Sequence, residues 1–371
     1  MSAYLESAMV TAKALVVPEL HAPFQLVDVE LDSLRPDEVL VELKATSICA
    51  TDAAVQHGKI PLSFPVVLGH EGMFPSILKS TSTETDTYSL GSGIVKEIGT
   101  SVLDLAIGDH VVLSYNSCGK CRHCQKRNNF RCVEIMKKNF GGKREDGSQT
   151  ISWKGKPVAS CFFGQSSFCN PAIVQATSCV KVDRSLDLAV VCSLGCGVQT
   201  GAGSIFNVVK PVERDIRSLG IFGLGAVGCA AVMAAKIITQ DNPNVLSQII
   251  AVDVNENRLE LARSLGATHT INPEKEDVKA RLLEITNQEG LDAAVDCSAV
   301  LSVINQMIES IGAGGIAVSI GNPGGESKAS VPILHFIAGA KTYCATHQGN
   351  ADSKSVSWHP RLALTQLLIL S

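Results

Sequence analysis

The sequence predicts an α/β protein, in which a β-rich domain precedes a doubly wound parallel sheet. Three observations carry that expectation. The first part is rich in apolar, β-branched runs broken by Pro, Asp and Ser: VTAKALVV, FQLVDVEL, DEVLVELKATSI and GDHVVLSY. After about residue 200, strand-like and helix-like segments alternate, the pattern of parallel strands joined by crossover helices. A chain of 371 residues also exceeds one hydrophobic core, so about two domains are expected.

The first part reads as a barrel-like or sandwich-like body with long loops. In the second part IRSLGIFG is a buried strand and AVGCAAVMAAKIIT a helix. SQIIAVDV, ENRLELARSLG and ATHTI follow as strand, helix and short strand. LDAAVDCS, VLSVINQMIESI and GGIAVSIG complete the series as strand, helix and strand. Gly223-Leu-Gly225-Ala-Val-Gly228 follows the strand 219–222 and opens a helix. Glycines there allow a tight turn and close approach of a pyrophosphate to the helix N-terminus, the Rossmann dinucleotide pattern. Asp253 ends the next strand, 25 residues beyond Gly228, against a usual spacing of about 20; the polar loop 239–248 absorbs the excess. A carboxylate there binds ribose hydroxyls and repels a 2′-phosphate, so NAD is favoured over NADP. Position 254 is Val rather than Arg.

Composition narrows the function classes. Hydrophobic residues are 45% and charged residues 18%, suited to a well-buried globular protein. The formal net charge is −4 with no basic stripe, so nucleic acid lacks its electrostatic footprint. The N-terminus has no basic start followed by a long apolar run, and no stretch approaches a membrane span. A cytoplasmic location is therefore expected, with no membrane partner. The tail LALTQLLIL reads as a helix fragment or an artefact.

There are 13 cysteines, and their spacing argues for metal rather than disulfides. Cys118, Cys121, Cys124 and Cys132 read C-x2-C-x2-C-x7-C, four thiolates able to close around one tetrahedral ion. Structural zinc is the favoured reading; an iron–sulfur site and a cluster of bare thiols are its rivals. Three other segments matter together: Cys49 in TSICATDAA, His70-Glu71 in VLGHEG and Cys196 in LGCGVQTGAGS. Two thiolates, one imidazole and an open fourth position make a catalytic zinc site. Each alone is a weak signal, since a single buried Cys is more often packing.

The order of these segments resembles the zinc-dependent medium-chain alcohol dehydrogenases: first Cys, GHE, four-Cys lobe, GCG, then GLGAVG. The likeness covers about residues 10–350, and FFGQSSF (162–168) is closest in feel to the aryl/benzyl alcohol dehydrogenases. The resemblance implies a GroES-like zinc-binding catalytic domain over 1–198, with the lobe at about 115–135. A Rossmann NAD-binding domain would span 199–346, and 347–371 would be a shortened remainder of the catalytic domain. It implies one catalytic zinc on Cys49, His70 and Cys196, and one structural zinc in the lobe. Asp52 and Glu71 would stand behind the catalytic ligands, with Asp52 orienting His70. Thr51 would take the alcohol's proton. Thr200 would sit by the nicotinamide, Val227 would back its ring, and Arg258 would approach the adenosine ribose. The implied activity is hydride transfer between NAD and a primary aromatic or allylic alcohol, or the matching aldehyde. A homodimer or homotetramer would form through the nucleotide-binding sheet, with 341–346 as edge strand.

The chain departs from the family in several places. Ala54 stands where many relatives place a His that passes the proton on, and Ala50 where some place a basic residue on the pyrophosphate. Residues 73–91 interrupt GHEG and the strand after it, and removing them leaves GHEGSGIVKEIG, an unbroken match. A loop of that length costs about 2–3 kcal/mol in closure entropy, which is survivable; its place beside the metal ligands is the larger burden. The family pattern also fades after GAKTYCATHQGNADSK. Both breaks read as gene-model errors, such as a retained intron. The alternatives are a glutathione-linked formaldehyde or polyol dehydrogenase of the same superfamily, or a non-catalytic zinc- and nucleotide-binding relic.

Overall fold

The computed structural model describes residues 10–46, 49–70 and 91–354. Glu71, most of the 73–91 interruption and the tail LALTQLLIL lie outside the described residues. The chain divides into two compact units, Met1–Cys196 and Gly197–Ser371.

The first unit is built on two antiparallel sheets. One runs Val66–Val67, Val10–Val17, Gln25–Leu31, Ile151–Trp153 and Lys156–Val158, with Cys169–Asn170 also pairing on Val10–Val17. The other runs Ala172–Gln175, Glu38–Ala45, Ser92–Ile98, His110–Leu113 and Cys179–Val182. Alternating apolar residues of both sheets, such as Val16, Val29, Val41, Val95 and Val111, fill one core with Phe162, Phe163 and Phe168. Alternation leaves one face of each strand free for polar residues, as an antiparallel sheet with one wet side requires.

The second unit is a parallel sheet in the order His269–Ile271, Gln248–Val252, Ser218–Phe222, Leu291–Asp296, Ile311–Ser319 and Thr342–Ala345. That is the order 3-2-1-4-5-6 of a doubly wound dinucleotide fold. The central strand SLGIF is buried at every position, because helices cover both faces of such a sheet. The helix Ala226–Asp241 follows it directly, and its residues Gly228 to Ala235 are buried. An added Cβ on Gly228 would meet the Gly223 carbonyl oxygen at 1.9 Å, so only glycine lets this helix close on the strand.

Candidate active site

The helix Ala50–Gln56 starts at Cys49, whose sulfur caps the Thr51 N–H at 3.5 Å. The Cys49 N–H in turn donates to Asp52 Oδ2 at 2.8 Å, completing a reciprocal capping box. Asp52 has no exposed surface. Its other oxygen accepts from the Gly69 N–H at 3.0 Å and faces His70 Nδ1 at 3.3 Å. One buried carboxylate thus ties the Cys49 turn to the His70 segment. Gly69 has φ +91, and a Cβ there would lie 2.4 Å from the Phe168 ring, so the approach of His70 to Asp52 depends on glycine at this position.

His70 is 1% exposed. With Nδ1 turned to Asp52, its Nε2 is buried without a hydrogen-bond partner. An orphaned ring nitrogen of this kind is costly unless it serves a ligand. Burial disfavours the charged ring, but the Asp52 carboxylate and the Cys49 sulfur outweigh it and hold the pKa well above the usual imidazole range. The same negative field attracts a cation. A carboxylate behind Nδ1 that leaves Nε2 available is the usual support of a metal-binding histidine. Cys196 lies in the same unit, immediately after the turn Cys192–Gly195. Cys49, His70 and Cys196 are not among the described groups whose ligand atoms all lie within 4.8 Å of one another; it is the chemistry of the donor set that suits zinc, with two thiols, an imidazole with an open nitrogen, and a carboxylate behind that imidazole.

Sequence reasoning assigned no contact with His70 to the FFGQSSF segment. The Phe163 ring stacks on His70 with centroids 4.1 Å apart and planes 12° from parallel, and Phe162 meets it edge-on at 5.3 Å. Cys161, Phe163 and Ser166 hold left-handed backbone at φ 62, 53 and 51, conformations that cost energy outside glycine and cluster at functional sites. The loop is fixed by Ser166, whose hydroxyl donates to the Val67 carbonyl at 2.7 Å. Thr51 Oγ1 is 3.6 Å from the Cys49 sulfur. Glu71 lies outside the described residues.

The lobe is the one group of three or more such ligands, among the described residues, whose ligand atoms all lie within 4.8 Å of one another: Cys118, Cys121, Cys124 and Cys132. The Cys118 and Cys124 sulfurs are 3.9 Å apart and those of Cys121 and Cys124 3.5 Å apart. Tetrahedral ligation at about 2.3 Å per Zn–S bond requires sulfurs about 3.8 Å apart, so the spacing fits the ion. Backbone N–H groups at Cys124 and Val133 pull the Cys121 thiol down to about 6, while burial and its neighbours push Cys124 up to about 12. Short 3-10 turns at Cys124–Lys126 and Asn129–Arg131 supply the bends. The remaining cysteines form no disulfide. Burial raises Cys161 and Cys229 to about 11 and Cys169 to about 12, which keeps them as inert thiols.

The second unit carries the dinucleotide elements. Gly225 caps the helix Ala226–Asp241 without a side-chain hydrogen bond, and a Cβ on it would meet nothing within 4 Å. The helix N–H groups therefore face open space, as a phosphate cradle requires. Val227 lies in the first turn of that helix. Asp253 accepts from the Leu224 N–H at 2.7 Å and the Asn255 N–H at 2.9 Å, with Arg258 3.8 Å away. Gly223, Gly225, Gly228, Asp253 and Arg258 are thereby gathered at the carboxyl ends of adjacent strands. Thr200 lies on the buried helix Gly197–Gly203, and its hydroxyl donates to Gln348 Oε1 at 3.2 Å; Gln199 does so at 2.8 Å. Gln348 is a partner that sequence reasoning missed; no local signal marks a residue 148 positions away.

Comparison with known proteins agrees with this architecture. The alcohol dehydrogenase GroES-like domain family matches residues 35–74 and 89–184, leaving 75–88 unmatched, and the zinc-binding dehydrogenase family matches 226–360. A geraniol dehydrogenase of Castellaniella defragrans is 32% identical over 92% of this chain and 85% of its own length. An S-(hydroxymethyl)glutathione dehydrogenase of Haemophilus influenzae is 32% identical over 90% of this chain and 82% of its own. The crystal structure of benzyl alcohol dehydrogenase from Acinetobacter calcoaceticus superposes with a TM-score of 0.82 at 34% identity, covering 98% of this chain and 90% of that one. No single helix among the described residues is long and apolar enough to cross a membrane.

Proposed function

The chain belongs to the zinc-dependent medium-chain alcohol dehydrogenase family, and on that premise we propose that it transfers hydride between a primary aromatic or allylic alcohol and NAD. The likeness of FFGQSSF to the aryl/benzyl branch of the family carries this choice of substrate; its Phe162 and Phe163 rings are buried and pack on the candidate ligand His70. Relatives named for geraniol and for benzyl alcohol support the same class.

Cys49, His70 and Cys196 would hold the catalytic ion, and Asp52, facing His70 Nδ1 at 3.3 Å, would keep the proton there so that Nε2 serves as the ligand. When bound, zinc supplies Lewis acidity toward the alcohol oxygen, and NAD supplies the ring that accepts hydride. Thr51 would take the hydroxyl proton, and Ala54 offers no imidazole beside it to pass that proton on. Asp253 would bind the ribose hydroxyls with Arg258 beside it, the turn Gly223 to Gly228 would receive the pyrophosphate, and Thr200 and Val227 would stand by the nicotinamide.

A second reading, glutathione-linked formaldehyde oxidation, is favoured by the name of the Haemophilus relative. Glutathione carries carboxylates, so this reading requires cationic partners for them. Steady-state NADH formation decides between them. Benzyl and allylic alcohols should give the highest kcat/KM; a preference for S-(hydroxymethyl)glutathione would overturn the proposal.

The protein assembles as a homodimer or homotetramer through the second unit. The strand Thr342–Ala345 ends its sheet, and Ile333, Leu334 and Ile337 on the helix before it are 64%, 75% and 74% exposed. Pairing of this edge with a second copy would cover such apolar surface. Sedimentation should give at least a dimer; a monomer at micromolar concentration would contradict it. The segment 73–91 interrupts GHEG and the strand after it, and the transcript should lack the codons that encode it.

A further inference from the structure

Gln165 lies in the FFGQSSF loop and is 1% exposed. Its amide Nε2 donates to the Ser114 carbonyl at 3.0 Å, while Oε1 is buried without a hydrogen-bond partner. Ser114 is a junction. Its hydroxyl donates to the Gly195 carbonyl at 2.6 Å, and its N–H donates to the Ser178 carbonyl at 2.8 Å. The Ser178 hydroxyl returns to the loop by donating to the Phe163 carbonyl at 3.1 Å. A Cβ on Gly195 would come within 1.9 Å of the Leu113 carbonyl, so the turn that carries Cys196 is pressed against the same strand end. Phe163, two residues before Gln165, is the ring stacked on His70.

These contacts form a continuous path: His70 to Phe163, along the loop to Gln165, across to Ser114, and on to Gly195 and Cys196. We propose that Gln165 is a positioning residue for the catalytic metal, setting the separation between the His70 imidazole and the Cys196 thiolate through Ser114. Gln165 does not touch the ion. A buried amide with one orphaned end carries a desolvation cost, and its satisfied end holds the carbonyl of Ser114, whose hydroxyl in turn holds the Gly195 carbonyl beside Cys196. Groups behind metal ligands alter affinity or activity by about 10–100-fold.

The inference rests on the assignment of Cys49, His70 and Cys196 as ligands, so the experiment separates the two. The protein is loaded with Co2+ in both sites, and the visible d–d spectrum and the rate of metal loss to a chelator are followed for the wild type, Cys49→Ser, Gln165→Leu and Ser114→Ala. Gln165→Leu should shift the bands that Cys49→Ser abolishes and speed loss of that ion by about 10–100-fold. The lobe ion should leave at the wild-type rate. Ser114→Ala, which cuts only the link from the Ser114 hydroxyl to Gly195, should move the same bands in the same direction, and Gln165→Met carries the test if Gln165→Leu does not fold. Two ions in the wild type with unchanged bands and loss rates in both variants overturn the inference alone, as does lowered thermal stability with unchanged metal kinetics. A wild type that binds only the lobe ion, with Cys49→Ser identical to it, overturns the ligand assignment and the inference with it.

Discussion

The two candidate zinc sites of the first unit are built in opposite ways. The lobe draws four cysteines from within 15 consecutive residues, and short turns suffice to bring their sulfurs together. The Cys49, His70 and Cys196 site draws on three distant segments. It depends on a buried carboxylate, a left-handed loop and an aromatic stack to orient its ligands. The lobe therefore organises itself around its ion, whereas the dispersed site is only as good as the packing behind it. A closed set of four ligands is structural, and an incomplete set leaves room for substrate.

Removing a ligand from the lobe should have the largest effect on folding. Metal supplies about 10–16 kcal/mol of apparent folding energy to small zinc peptides, and a fraction of that suffices to destabilise a domain. Cys124→Ser should lower the thermal midpoint strongly and release one ion, while the folded fraction keeps its activity; an unchanged midpoint would remove the lobe's structural role. Asp52→Asn sharpens the other side. Asp52 accepts from two backbone N–H groups and faces His70 Nδ1, and an amide NH2 would put a donor against donors. Activity or catalytic-metal affinity should fall about 10–100-fold, with the lobe ion retained on elemental analysis. Loss of both ions together would show that the two sites are not independent.

Phe163→Ala should cost less. Loss of the ring on His70 should reduce kcat/KM for benzyl alcohol about tenfold, consistent with the 0.5–1.5 kcal/mol of an aromatic pair, and should affect a short aliphatic alcohol less. Equal losses for both would mean that the ring positions His70 only. The smallest expected change is in the second unit. Asp253→Asn should raise KM for NAD several-fold and narrow the preference over NADP, with kcat little altered; an unchanged cofactor preference would remove Asp253 from the ribose. Deleting 73–91 asks whether the interruption burdens the dispersed site. Turnover should rise while the lobe ion stays bound, and lower turnover would make the segment part of the enzyme.

The same contrast explains what could be read from the sequence. C-x2-C-x2-C-x7-C and GLGAVG are local patterns, and the structure presents them as sulfurs at ligand spacing and a glycine-closed helix start. Strand and helix runs such as SLGIF and AVGCAAVMAAKIIT were legible for the same reason, since burial on both faces of a parallel sheet leaves an unbroken apolar run. Asp52 could be paired with His70 only through family likeness, because nothing in the spacing of 52 and 70 places them 3.3 Å apart. Gln165 and Gln348 were invisible. Each acts through a hydrogen bond to a residue 51 or more positions away, and a buried glutamine carries no local signature. The Phe163 stack was hidden too, since its left-handed backbone is not encoded by a glycine.

Metal content measured together with turnover tests the central claim most directly. Purified wild-type protein should hold two zinc ions per chain and reduce NAD with benzyl alcohol. Cys49→Ser should hold one ion, keep the fold, and show no turnover. Retained activity in Cys49→Ser, or two ions still bound to it, would contradict the division of the first unit into a lobe that holds the structure and a dispersed site that carries the chemistry.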